Sequence, residues 1–296
     1  MAEVDFDFQK YVERQRNPNL TREGAESDFG AYVYSGDVRA LRQLRRLAPV
    51  RLVAETTVRL WNGLKRNELL GQSVRLSRRQ NPEIYDITAQ CARALDIAMP
   101  TVYVNNAVTV NAATYGTDSE AFIMLDSGLV DWLEPEELLF VIGHECGHLQ
   151  NNHVVFNTAL AFLNQALSGY AKWTVAPATL ALLAWSRRAE ITCDRAGLVC
   201  CMDERVALRA MLKVTVVSRK IFEQLDLDEY LEQLSDLQQG MGRFEELTNS
   251  HPYMPKRVKA LQLFAQSAYY RGLHGEREGE ALDQVDRDVI DLIKVL

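Results

Sequence analysis

Three of the chain's five histidines fall within residues 141–153, VIGHECGHLQNNH, and two of them flank a glutamate as H-E-x-x-H. On a helix, residues four apart lie about 40° apart around the axis, so His144 and His148 project from one face. Two imidazoles so placed can bind one Zn²⁺. Glu145 lies between them angularly, within reach of a water beside the metal but badly placed to be an equivalent ligand. The pattern therefore supplies two metal ligands and a catalytic base on one wall. The plainer alternative is a helix with two partly buried, hydrogen-bonded histidines.

A catalytic zinc site needs a third protein ligand and keeps a fourth position open. His153 comes one residue too early for the H-E-x-x-H-x-x-G-x-x-H spacing, and Asn151 stands where that pattern has glycine. On a continuing helix His153 points away from the metal, so a surface or structural role is expected. SRRAEITCDRAG (186–197) offers Glu190 and Asp194 at i and i+4, two carboxylates on one helix face amid apolar residues. A carboxylate there is costly unless paired or metal-bound. Glu190 completes a His₂Glu set, and Asp194 can hydrogen-bond the free ring nitrogen of a ligand histidine. Without the upstream motif, the pair would read as partners of Arg187, Arg188 and Arg195.

His251 lies in NSHPYMPKR (249–257), a loop stiffened by Pro252 and Pro255. Beside a metal cleft it has two uses: donating to a developing oxyanion, or occupying the metal's fourth position at rest. Simple packing against the core is the third reading. Arg257 is available to anchor this loop to an acidic partner.

The combination of HECGH (144–148), SRRAEITCDRAG (186–197) and HPYMPKRVKAL (251–261) resembles the zinc metallopeptidases related to HtpX and the type I CAAX prenyl proteases. The resemblance runs from about residue 80 to about 272. It implies a zincin-like core, one zinc per chain held by His144, His148 and Glu190, and peptide hydrolysis by a zinc-polarised water. It also sets VNAATYG (110–116) where the family has its substrate-edge strand, making Asn111, Ala112 and Ala113 substrate-binding candidates. Transmembrane helices of the family have no counterpart here, which points to a soluble branch and away from prenylated substrates.

These residues require elements to hold them. SVRLS (73–77), TVYV (101–104), VTVNAAT (108–114) and AFIML (121–125) read as short strands of a small antiparallel sheet. A helix is expected over 82–98, and another opens at LEPEELL with Pro135 at its first position and Glu136 and Glu137 at its positive end. Helices are further expected near 178–201, 203–224, 227–238, 255–272 and 281–295. The class is α+β, predominantly helical, with the sheet packed on the H-E-x-x-H helix. We divide the chain into an N-terminal helical region (1–70), a metallopeptidase domain (71–275) and a C-terminal helix (276–296). Gly143 and Gly147 are expected to admit a close neighbour, and Cys146 and Cys193 to pack as small buried residues.

Composition narrows the partners. A formal charge of −7 argues against nucleic acid as the main partner. The apolar run 173–185 contains Pro177 and is shorter than a bilayer span, so it reads as a buried helix and no integral membrane segment is expected. The acidic start does not resemble a signal peptide, and five cysteines without a disulfide pattern suit a reduced, cytoplasmic setting. The basic stripe of 38–52 reads as a solvated helix face, with a regulatory partner at the N-terminal region as the alternative. The expected substrate is a peptide or unfolded protein segment paired along the edge strand. A non-catalytic, zinc-stabilised chaperone or scaffold is the competing class. Glu145 separates the two, because a structural site needs ligands but no base.

Overall fold

The computed structural model describes residues 29–117 apart from positions 49, 51, 55, 57–66 and 68–70, and then 121–166, 170–232 and 246–294. Most of the 1–70 region and residues 233–238 of the expected 227–238 helix therefore lie outside the described residues. The elements are α1 (Ser35–Arg46), β1 (Ser73–Arg75), α2 (Pro82–Ala94), β2 (Thr101–Asn105), β3 (Ala112–Gly116), β4 (Ala121–Asp126), α3 (Ser127–Trp132), α4 (Pro135–Gln150), α5 (Val154–Ala166), α6 (Tyr170–Cys201), α7 (Glu204–Val216), α8 (Arg219–Phe222), α9 (Met254–Ala265), α10 (Ala268–Leu273) and α11 (Leu282–Ile293). The fold is α+β and predominantly helical, as the sequence leads one to expect.

Local chemistry explains the boundaries. Asn81 caps α2, its side chain accepting from the Ile84 N–H, with Pro82 at the first helical position. Glu134 and Glu137 form a capping box at the start of α4, and Pro135 again opens the helix. The expected 203–224 helix is interrupted at Val217, whose φ of 56° is left-handed, and the 255–272 helix at Ser267, which caps α10. Pro177 lies inside α6, so the helix begins earlier than the expected residue 178.

The sheet corrects one expectation. Its order is β1-β2-β4-β3, and it is mixed: β2 and β4 run parallel while the other two pairings are antiparallel. After β2 the chain passes to the far edge, forms β3, and turns back so that β4 inserts between them. Two reversals leave β4 parallel to β2. The expected 108–114 strand shifts to 112–116, since Ala107 is instead tied to the start of α3 through its carbonyl, which accepts from Gly128 N–H and Ser127 Oγ. Val108 is left 92% exposed, outside the ladder.

The core forms around α4 and α6, with Ile142, Cys146, Ile191 and Leu198 buried between them and the sheet. Glycine permits this closeness. A Cβ on Gly147 would lie 2.7 Å from Ala196 Cβ and 3.2 Å from Cys193 Cα; one on Gly143 would meet Cys200 Cβ at 2.7 Å. From the α6 side, a Cβ on Gly197 would stand 2.7 Å from the Phe140 carbonyl oxygen. Arg195 ties the chain's two ends to this pair. Its guanidinium donates to the Tyr32 carbonyl, pairs with Asp286 of α11 at 2.8 Å, and stacks between Tyr34 and Phe264.

Gly147→Ala is expected to cost about 1–3 kcal/mol, because backbone and small side chains across the crossing cannot swing aside. Urea unfolding of the variant against the parent measures this, and an unchanged midpoint would show that the two helices separate freely.

Candidate metal centre

His144, Glu145 and His148 sit in the last half of α4, all buried. Glu190 and Asp194 face them from α6, at 3% and 2% exposure. The i, i+4 spacing on each helix places two groups on one face, and the glycine crossing sets the faces together. His144 Nε2 is 3.5 Å from Glu190 Oε2, and His148 Nε2 is 3.5 Å from Glu190 Oε1. His144 Nδ1 is 3.0 Å from Asp194 Oδ1.

Arg257 supplies the countercharge. Its Nε and Nη2 donate to the two Asp194 oxygens at 2.8 and 2.6 Å, and Nη1 lies 3.2 Å from Glu190 Oε2. Arg257 thus anchors its segment to an acidic partner, and the alternative of Arg187, Arg188 and Arg195 answering the pair does not apply. Arg195 is taken by Asp286, while Arg187 donates to the carbonyls of Glu246, Leu247 and Asn249. Arg187 thereby pins the loop that carries His251, together with a buried Lys256–Glu246 pair at 2.7 Å. Burial alone would push both carboxyls up; Arg257 reverses this for Asp194, and His251 with Arg257 does so for Glu190, so both stay ionised below their ordinary range.

His251 reaches the same place. Its Nε2 is 3.4 Å from Glu190 Oε2 and its Nδ1 is 2.8 Å from Ser250 Oγ, on a ring still 57% exposed. Glu190 Oε2 is thus ringed by nitrogens at 3.2–3.5 Å, yet it forms no hydrogen bond with any of them. A buried, ionised oxygen without a hydrogen bond, facing two imidazole Nε2 atoms, is a donor set that suits a divalent cation such as zinc.

His144, His148 and Cys193 also offer ligand atoms within 4.8 Å of one another. Two observations favour Glu190 over Cys193. The Cys193 sulfur already has a partner, His153 Nδ1 at 3.6 Å, and burial pushes its thiol well up. Glu190 is already ionised and touches both Nε2 atoms.

Glu145 is held by a residue that sequence reasoning passed over. Thr114 of β3 donates to Glu145 Oε2 at 2.6 Å, and its hydroxyl also lies 3.2 Å from the Glu145 carbonyl oxygen. Only the alternation of VNAATYG, which turns Thr114 inward, hinted at it. The cleft beside these groups is lined by Asn111, Ala112, His144, Glu145, Glu190 and His251. Ala113 does not line it. The Asn111 carbonyl accepts from the Asp126 N–H, so by antiparallel alternation the backbones of Ala112 and Thr114, not of Asn111 and Ala113, face the outer edge of β3. Farther along that edge, Gly116 N–H is taken by Thr158.

His153 is structural and fully buried, because α4 ends at Gln150 and the chain turns through Asn152 in a left-handed conformation. Its Nδ1 is 3.1 Å from His148 Nδ1. Burial lowers its pKa, so it is neutral near pH 7.

Comparison with known proteins gives the chain's family and relatives. The model of "Peptidase family M48" matches residues 78–265. The plastoglobule-localized metallopeptidase 48 of Arabidopsis thaliana is 28% identical over 218 residues, covering 70% of this chain and 63% of that protein. A protease HtpX homolog of Trichormus variabilis is 28% identical over 219 residues, 63% of this chain and 75% of the relative. One from Pediococcus pentosaceus is 32% identical over 100 residues, a third of each chain. The chain thus spans less than two thirds of the length of the Arabidopsis relative. No solved structure matches it.

Asp194→Asn is expected to weaken metal affinity by about 10–100-fold, because the amide no longer holds His144 Nδ1–H or Arg257 as a carboxylate does. Competition against a chromophoric chelator measures this. Unchanged affinity would reduce Asp194 to a structural tie with Arg257.

Proposed function

The chain belongs to peptidase family M48, and on that premise we propose that it is a zinc-dependent endopeptidase acting on extended or unfolded protein segments. The observation that carries the reading is the convergence of His144 Nε2, His148 Nε2 and the Glu190 carboxylate beside a Glu145 held by Thr114. A purely structural metal site has no use for that second, separately tethered carboxylate. This argues against the chaperone or scaffold alternative.

In this reading His144, His148 and Glu190 hold one zinc per chain. When bound, zinc supplies Lewis-acid polarisation of the scissile carbonyl and acidifies the attacking water. Glu145 takes the water's proton and passes it to the leaving amine. Thr114 occupies one Glu145 oxygen and leaves the other for that proton. The substrate backbone pairs with the outward N–H and C=O groups of Ala112 and Thr114, beside Asn111 and Ala113, a mode that reads main chain more than side chains. Asp194 and Arg257 keep His144 oriented. The division into 1–70, 71–275 and 276–296 is part of the same proposal, supported by a family match lying within the middle segment. So is a cytoplasmic location, which rests on the unpatterned cysteines; among the described residues, no helix is long and apolar enough to cross a membrane.

For His251 we favour the resting cap over the oxyanion donor. Its Nε2 meets the same Glu190 oxygen as His144 Nε2, and its exposed ring on a loop has room to leave.

The test separates ligands from base. Glu145→Gln keeps the metal and loses hydrolysis of casein by at least about 100-fold, whereas His144→Ala and Glu190→Ala each lose the metal. Full metal retention in both of the latter would sink the ligand assignment. His251→Ala should raise basal peptide hydrolysis. A fall of about 10²–10³-fold, the loss of one oxyanion donor, would reassign it to that role.

A further inference from the structure

His144 has Asp194 to orient it, but His148 has no carboxylate of its own. Its Nδ1 faces His153 Nδ1 at 3.1 Å and the Asn157 amide nitrogen, Nδ2, at 3.0 Å. Behind His153, in the dry interior, stands Asp37 of α1, fully buried, with Oδ2 3.0 Å from His153 Nε2. That nitrogen makes no aligned hydrogen bond, to Asp37 or to any other described group, so the contact is one of charge and distance. Asp37 is itself fixed by two donors, Trp185 Nε1 at 3.0 Å and Thr192 Oγ1 at 2.7 Å.

We propose that Asp37 and His153 are positioning residues that set the tautomer of His148, with Asp37 acting from outside the family-matched segment. The proposal rests on the reading of His148 as a ligand. Proton positions follow in order. A carboxylate against His153 Nε2 selects the form with hydrogen on Nε2, leaving a lone pair on Nδ1. That lone pair takes the hydrogen of His148 Nδ1, and the His148 Nε2 lone pair is left facing the site beside Glu190 Oε1. The Cys193 thiol, 3.6 Å from the same His153 nitrogen, suits an acceptor there. The Asn157 amide fits once its oxygen is the atom turned to His148, an assignment that the hydrogen-bond network decides. With its nitrogen turned there instead, His148 would carry hydrogen on Nε2 and could not ligate.

Both ligand histidines are then held by carboxylates, His144 directly and His148 through one intervening ring. Asp37 lies well before residue 78, where the family match begins. Neighbouring contacts sew the same segment to the end of α4: Gly30 N–H donates to Asn151 Oδ1 at 3.0 Å, and Tyr32 Oη to Gln150 Oε1 at 2.6 Å.

The experiment uses the full chain and zinc alone as probe. Asp37→Asn, His153→Gln and the double variant are compared by chelator competition, by urea unfolding of the metal-free protein, and by ¹⁵N shifts of the histidine rings. Each single variant should weaken zinc binding by about 10-fold, the double no more than either single, and the metal-free His148 signal should leave the Nδ1–H form. Leu44→Ala and Leu182→Ala, buried where α1 packs on α6, are the controls: they should lower stability while leaving zinc affinity unchanged. Three results would overturn the proposal: controls that weaken zinc as much as Asp37→Asn, additive losses in the double variant, or a His148 signal with hydrogen on Nε2 in the parent. If zinc binding instead survives His148→Ala, the ligand reading fails by itself, and the ring shifts of the metal-free chain still decide the proton order.

Discussion

Everything at the site depends on how closely α4 and α6 approach. Glycines at 143, 147 and 197 remove the side chains that would hold the helices apart, and the opposing surface is itself Ala196, Cys193 and Cys200. At that separation, side chains one turn apart on α4 meet side chains one turn apart on α6 without a bridging residue. The two helices act as a rigid frame, and the chemistry is hung on the frame's inner faces.

Bringing them together carries Glu190 and Asp194 into the interior, a cost that Arg257 offsets for both and His251 offsets further for Glu190. Arg257 comes from α9, and its fork matches Asp194 in bidentate fashion while Nη1 leans toward Glu190. A lysine has no such fork, so the same position could not serve both acids equally. Its anchoring fixes the start of α9, and with it the loop bearing His251. Arg187 and the Glu246–Lys256 pair brace that loop from below. Asp194, Glu190 and the loop bearing His251 therefore share one electrostatic tie through Arg257.

The sheet contributes differently. β3 is an edge strand whose inward face holds Glu145 through Thr114, while its outer edge is the proposed track for an extended chain. Base and track are thus two sides of one short strand, so a shift of β3 by one residue would displace both. Inserting β4 between β2 and β3 is what keeps β3 at the edge beside α4.

Much of the site was legible because its relations are local. H-E-x-x-H and E-x-x-x-D fix angles on a single helix, where 3.6 residues per turn leaves little freedom. Caps at Asn81 and Pro135 are likewise local, as is the interruption that Pro252 imposes before α9. What spacing cannot fix is which distant group answers which. Arg257 of α9 stands 63 residues from Asp194 and answers it in place of nearer arginines, of which Arg187 and Arg195 are bound to other groups. Thr114 meets Glu145 only once the register of β3 is set, and the order of the strands depends on a crossover that leaves no mark on their alternation. His153, which helix geometry alone would turn away from the metal, comes back to His148 because the chain turns at Asn152. Sequence by itself determined the reacting groups and their helical faces. Their partners were decided in tertiary structure, where desolvation forces each buried charge to find a counterpart wherever packing has put one.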